Sequence, residues 1–177
     1  DDLPHSMRDL HNGEVDFVIA YASKDEAIDE DQSIVIGRDR LVPVCKPNQD
    51  GHPIFSFENE KPPVPILRFG DEAPIGRLLE PIYNEIGKKR SLDSAYENSM
   101  AGALLMHARE GMGVAWLPES LIEADLTRGS LVRTGSNAWT VTLDIRLHRN
   151  TEYSNHLTRS IWAFLKDRHS ALSSVVA

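Results

Sequence analysis

Apolar positions recur along this chain in two rhythms, and the switches between them lay out its elements. Residues 98–118, NSMAGALLMHAREGMGVAWLP, carry both rhythms back to back. Leu104, Leu105 and Ala108, with Met100 one turn earlier, recur at helical spacing. Asn98 or Ser99 can cap that helix, because a side-chain oxygen there accepts from the unpaired N–H groups of the first turn. Gly111 and Gly113 end it, and Val114-Ala115-Trp116-Leu117 follows as a short buried strand closed by Pro118. Ile75, Leu78, Leu79, Ile82 and Ile86 predict a second helix over 74–86, with Pro74 near its first turn. A third spans 155–169, with Leu157, Ile161, Trp162 and Leu165 on its inner side. Shorter helices are expected over 4–12, stopped at Gly13, and over 119–126.

The remaining apolar runs are short and read as strands. Residues 15–21 are β-branched, aromatic and almost uninterrupted, as in a parallel sheet covered on both faces. Residues 34–36 and 41–45 read as two strands split by Gly37-Arg38-Asp39-Arg40, and Pro43 suggests an edge or irregular position. Further strands fall at 65–69, 91–97 (strand or extended arm), 131–133 and 141–147, the last with period two. A polar, acidic connection covers 23–31, and a proline-rich surface loop covers 46–65, tacked to the core by Phe55 and Phe57. The alternation implies an α/β fold with a largely parallel sheet. The chain leaves a first sub-domain near Ile36 and returns near Thr140. One lobe is thus expected from 1–36 plus 140–177 and another from 37–139, joined by two crossing strands. Such an arrangement is a hinge with a cleft, a common home for ligands.

Composition narrows the function classes. The 177 residues are 41% apolar and 26% charged, ordinary for a globular protein, and the net charge of −8 argues against this piece gripping nucleic acid by itself. One cysteine allows no internal disulfide and indicates no oxidising compartment. No apolar run reaches the length of a membrane span, so no membrane partner and a cytoplasmic location are expected. The start, DDLPHSMRDL, lacks an initiator methionine and is no signal peptide; a fragment with parts missing upstream is expected. The seven histidines show no metal spacing, and the carboxylates are scattered. With no nucleophile elbow, phosphate loop or dinucleotide fingerprint, neither an enzyme nor a cofactor is expected.

Three pieces taken together resemble a known family. The first is Leu10-His-Asn-Gly-Glu-Val-Asp-Phe-Val-Ile-Ala-Tyr21. The second is Asp39-Arg-Leu-Val-Pro-Val-Cys-Lys-Pro47. The third is Ser99 followed by Ala108-Arg-Glu-Gly-Met-Gly-Val-Ala-Trp-Leu-Pro118. In this order and spacing they are similar to the effector-binding domain of LysR-type transcriptional regulators. The resemblance covers nearly the whole chain. It implies a periplasmic-binding-protein-like fold of two Rossmann-like sub-domains joined by two crossover strands. The family's first strand–helix–strand, its winged helix-turn-helix and its linker helix have no counterpart here. The resemblance further implies a small-molecule or oxidant effector, DNA contact only through that winged helix-turn-helix, and a homodimer or homotetramer. Within the family the wording is most similar to members that respond to hypochlorite. The rival class is a solute-binding protein of a transport system, which shares the architecture.

Carried onto matching positions, the family's cleft selects Tyr21 and Ala22 at the tip of the first strand, Arg68 at a strand end, and Asn98, Ser99 and Met100 at the helix opening. Each has a plainer reading. Ser99 can serve as a cap alone. Arg68 can pair an anionic effector or a neighbouring Asp71 or Glu72. Met100, if it faces a cleft, is open to oxidation to a polar sulfoxide; otherwise it fills a core gap, the reading also expected for Met106 and Met112. Cys45 beside Lys46 is a second redox candidate, or a small buried hydrophobe ending a strand.

Overall fold

The computed structural model describes residues 3–24, 29, 31–57, 62–70 and 73–173. The chain divides into two compact units, Asp1–Arg38 with Leu143–Ala177, and Asp39–Thr142. Residues 25–28 and 30 of the polar, acidic first connection, and Asp71 and Glu72, lie outside the described residues.

The first unit contains helix α1 (Leu3–Asn12), strand β1 (Phe17–Ser23), the opening of β2 (Ser33–Cys45), most of β7 (Val141–Arg149) and helix α5 (His156–Ser173). β1 runs antiparallel to β7, from Phe17 opposite Arg149 to Ser23 opposite Leu143, and β7 pairs in turn with β2. Ile34, Leu147 and Trp162 form the core, with Phe17 and Leu165 packed against it. The expected parallel strand buried on both faces is therefore corrected. β1 is an antiparallel edge strand in which Val18 and Ala22 are buried while Ile19 is 65% exposed. α5 also turns another way. Trp162 is buried, but Leu157 and Ile161 face outward with Phe164, because the helix carries two apolar stripes and the one containing Trp162 packs on the sheet.

The second unit is built on the rest of β2, β3 (Val64–Arg68), β4 (Leu92–Glu97), β5 (Val114–Pro118) and β6 (Val132–Arg133). Helices α2 (Pro74–Gly87), α3 (Ala101–Arg109) and α4 (Glu119–Arg128) connect them, with a 3-10 turn over Asn137–Trp139. The sheet is mixed rather than largely parallel. β3 is parallel to β4 and β5, whereas β2 is antiparallel to β5 and β6. The two short strands expected at 34–36 and 41–45 are one strand of 13 residues, since Gly37 to Arg40 continue the extended backbone. Pro43 lies buried within that strand, opposite Trp116. The missing N–H is tolerated because β6 pairs only at Val44 and Cys45, while the Pro43 carbonyl accepts from Thr134 N–H at 3.0 Å.

Trp116 fills the centre. It is fully buried, donates Nε1–H to the carbonyl of Trp139 (2.9 Å), and meets Tyr83 edge-on at 5.3 Å and Phe57 at 6.1 Å. Phe57 thus tacks the long loop down, as the sequence suggests. Phe55 contributes through its backbone, whose carbonyl accepts from Thr134 Oγ1 at 2.8 Å.

Two carboxylates hold α4. Its N-cap position is Pro118, which offers no side-chain cap. Asp39 of β2 supplies one, accepting from Ser120 N–H (3.3 Å), Ser120 Oγ (2.5 Å) and Arg40 N–H (2.7 Å). At the far end Arg109 of α3 grips Asp125 with two hydrogen bonds of 2.8 and 2.7 Å. That guanidinium, helped by Ser130 Oγ at 2.7 Å, holds the Asp125 carboxyl below the usual carboxylate range.

Asp39→Ala is expected to cost about 1–2 kcal/mol in urea denaturation, the usual worth of an N-cap, and Asp39→Asn less; equal stability of all three proteins would show that α4 needs no cap. A carboxyl whose folded pKa is depressed stabilises the fold above its unfolded pKa and stops doing so as pH falls through the folded value. The stability gap between wild type and Asp125→Asn is therefore expected to be largest near neutrality and to close below about pH 4. A gap independent of pH would assign it to packing alone.

Candidate functional site

The candidate residues of the second unit converge on one end of its sheet. Because β3 and β4 are parallel, Arg68 and Glu97 finish side by side at their C-terminal ends, in register. The ladder runs on beyond them: Asn98 N–H donates to the Arg68 carbonyl (3.1 Å), and Gly70 N–H donates to the Asn98 carbonyl (3.4 Å). The chain can turn into α2 there because Gly76 has no side chain. A Cβ on it would stand 2.6 Å from the Gly70 carbonyl oxygen. The N-termini of α2 and α3 thus both follow strand ends on this edge, the position at which α/β folds present free N–H groups to small polar ligands.

The helix opening differs from expectation in a specific way. α3 begins at Ala101, its N-cap position is Met100, and no side chain caps it. Asn98 stands two residues ahead of that position, its Oδ1 accepting from Met100 N–H at 2.9 Å, and Ser99 makes no cap at all. Ala103 and Leu104 N–H reach back to the Met100 carbonyl at 3.1 and 3.4 Å. Asn98 is fixed from its other side as well, donating Nδ2–H to Tyr96 Oη (3.0 Å). Tyr96 stacks on His107 at 3.9 Å between ring centres, and His107 Nδ1–H donates to the Ala103 carbonyl. Met100 is 60% exposed and so does not extend the buried stripe of Leu104, Leu105 and Ala108. Ser99 is exposed too, and a Cβ on Gly102 would meet nothing within 4 Å. The opening of α3 is bare.

Arg68 is already engaged. It forms an ion pair with Glu80 of α2, and its guanidinium lies over the Tyr83 ring at 4.6 Å. The ion-pair reading therefore has a described partner one helix further on than the two acidic neighbours weighed from sequence. Burial pushes the Tyr83 hydroxyl well above its ordinary pKa, with Arg68 pulling the other way. Sequence reasoning missed Glu80 and Tyr83. Their signal was available, since Leu79, Tyr83 and Ile86 recur at helical spacing with Glu80 beside them.

Tyr21 and Ala22 lie on β1 of the first unit, Tyr21 half-buried and Ala22 buried. Cys45 has no exposed surface, and burial raises its thiol pKa against two backbone hydrogen bonds from Phe55 and Ile54. That setting favours the neutral thiol over the reactive thiolate, and oxidant has no access to it. Met106 and Met112, expected in the core, are 66% and 50% exposed. Each lies on the helix face or turn that Leu104 and Leu105 leave to solvent. Among the described residues no cluster of three histidine, cysteine or carboxylate groups could hold a metal ion, and no helix is long and apolar enough to cross a membrane.

A model of the LysR substrate binding domain family matches residues 1–170. The HTH-type transcriptional regulator YjiE of Escherichia coli K12 is 23% identical over 172 residues, 97% of this chain and 56% of that protein. Among solved structures, the regulatory domain of HypT from Salmonella typhimurium in its apo form matches with a TM-score of 0.80 at 25% identity, over 97% of this chain and 80% of that one. Full-length HypT of that organism, a hypochlorite-specific LysR-type transcriptional regulator, matches with a TM-score of 0.79 at 24% identity, over 97% of this chain and 57% of that one. The chain spans just over half the length of these two full-length proteins. These similar proteins are transcription regulators or the regulatory domain of one.

Replacing Arg68 by methionine is expected to cost about 1 kcal/mol in urea denaturation, the sum of a partly exposed ion pair and one cation–π contact. A loss of several kcal/mol would make Arg68 a pillar of the fold rather than a residue free to serve a ligand.

Proposed function

We propose a function from one premise: the chain belongs to the LysR substrate binding domain family, and it is the regulatory domain of a LysR-type transcription regulator. Its fold is the α/β, periplasmic-binding-protein-like fold of that family. In this reading the domain senses a small molecule or an oxidant such as hypochlorite, in the cytoplasm. A winged helix-turn-helix elsewhere in the full-length protein binds DNA, and the subunits assemble as a homodimer or homotetramer. The sensing residues of the second unit are Arg68, Asn98, Ser99 and Met100; the same resemblance selects Tyr21 and Ala22 in the first unit.

One observation carries the oxidant reading: Met100 is a 60% exposed thioether standing at the uncapped N-terminus of α3. Hypochlorite transfers an oxygen atom to the sulfur and leaves as chloride, giving a methionine sulfoxide. That step replaces an apolar tip by a strong hydrogen-bond acceptor beside a helix end that lacks one. A new acceptor there is worth about 1 kcal/mol, the scale of an N-cap, enough to shift a two-state equilibrium several-fold. The similarity to a hypochlorite-specific regulator supports the choice of oxidant. The buried Cys45 supports methionine over cysteine.

The test uses the full-length regulator. A small molar excess of hypochlorite is expected to add one oxygen to the peptide containing Met100 and to change operator binding. Methionine sulfoxide reductase is expected to reverse both effects, and Met100→Ile to abolish the response while keeping basal DNA binding. A Met100→Ile protein that responds like wild type would overturn the Met100 switch. A regulator that ignores hypochlorite altogether would overturn oxidant sensing and leave the small-molecule reading to be tested with Arg68→Met and Tyr21→Phe.

A further inference from the structure

The second unit holds a separate hollow of about 570 Å³, lined by Lys46, Pro47, Arg109, Asp125, Arg128 and Ser130. It opens where the ends of α3 and α4 come beside the end of β2. Its charges are uneven. Three cations face one carboxylate, and Asp125 is already satisfied by two bonds from Arg109 and one from Ser130 Oγ. The pair Arg109–Asp125 is thus internally neutral, and the other two cations are left over. Arg128 donates Nε–H to the Ala124 carbonyl (3.1 Å), which leaves its terminal nitrogens unassigned, and it acts on Asp125 only at longer range. The Lys46 stem lies against Gly111, its Cδ 3.1 Å from where a Cβ would stand. Neither Lys46 nor Arg128 forms an ion pair among the described residues.

Basic residues in the last turn of a helix complement its dipole, and this accounts for Arg109 and Arg128. It does not account for Lys46, which comes from a strand end, nor for a hollow between the three. In a chain whose net charge is −8, two exposed cations with no ion-pair partner among the described residues, lining one hollow, attract a compact double negative charge. The volume suits a metabolite-sized molecule. We propose that this hollow is a binding site for a small dianion, a phosphate ester or a dicarboxylate, held by Lys46 and Arg128. None of its residues is among the sensing residues above, so the two proposals fail separately.

The experiment titrates the protein with inorganic phosphate and, in a parallel arm, with succinate, each at constant ionic strength made up with chloride so that general screening cancels. The expected result is a saturable rise of the thermal midpoint with at least one of the two anions. Lys46→Met/Arg128→Met is expected to weaken that binding by about tenfold or more with an unchanged circular dichroism spectrum. A response to phosphate alone assigns the phosphate-ester class, and one to succinate alone the dicarboxylate class. No saturable response to either anion, or an equal response in the double variant, overturns the proposal. Lys46→Met alone, which touches no internal bond, keeps the result readable should the double variant fold poorly.

Discussion

The second unit depends on strand β5 being dry. All five of its residues are buried, and it is flanked by β2 on one side and β3 on the other. A strand in that position can offer water nothing, so every backbone group has to be paired and every side chain packed. Trp116 satisfies both demands at once. Its ring fills the layer between Tyr83 and Phe57, and its one polar atom finds the Trp139 carbonyl. Truncating such a residue typically costs 3–5 kcal/mol, a large share of the stability of an ordinary domain. The candidate site inherits this rigidity. β3 is hydrogen-bonded to β5 at Ile66 and Leu67, and its next residue is Arg68. The candidate site therefore hangs from a strand whose neighbour is buried throughout.

Close backbone approaches finish the construction. A Cβ on Gly113 would come within 2.7 Å of the Pro65 carbonyl oxygen, and one on Gly76 within 2.6 Å of Gly70. The first lets β5 dock on β3; the second lets α2 begin directly behind the end of β3. Neither position is a turn requiring positive φ, so the demand comes from crowding alone, which a single sequence does not display. Gly111 and Gly129, by contrast, have positive φ at helix ends, a role their placement after helical stripes makes legible.

Strand and helix identity was largely legible because periodicity reports which face is buried, and burial is what stabilises each element. The three helices of the second unit and the strand at Trp116 come straight from that pattern. Partnership was not legible. β1 reads as a parallel core strand because apolar runs look alike whatever pairs with them, and β2 reads as two strands because polar residues at its middle break the run without breaking the backbone. The cap of α4 was invisible for a related reason. Asp39 precedes Ser120 by 81 positions, and local capping rules look only a few residues away. At the candidate site, the sequence located Arg68, Asn98 and Met100 on elements that do meet, but it assigned the cap to the wrong atoms. Asn98 has the right chemistry and stands two residues ahead of the cap position.

Exposure alone does not rank the sulfurs of the second unit as candidates for the proposed sensing. Cys45 is excluded by burial, but Met100, Met106 and Met112 are 60%, 66% and 50% exposed, too similar for access to choose among them. What distinguishes Met100 is the backbone beneath it. Met106 sits on the solvent face of a formed helix whose local hydrogen bonds are complete, where a sulfoxide gains only solvation. Met112 follows the helix end, where carbonyls rather than N–H groups are unpaired, and a new acceptor finds no donor there. At Met100 the unpaired groups are donors, and the native thioether, a weak acceptor, makes no cap to them. Of these three exposed sulfurs, Met100 is therefore the one at which an added oxygen would change the hydrogen-bond balance of α3.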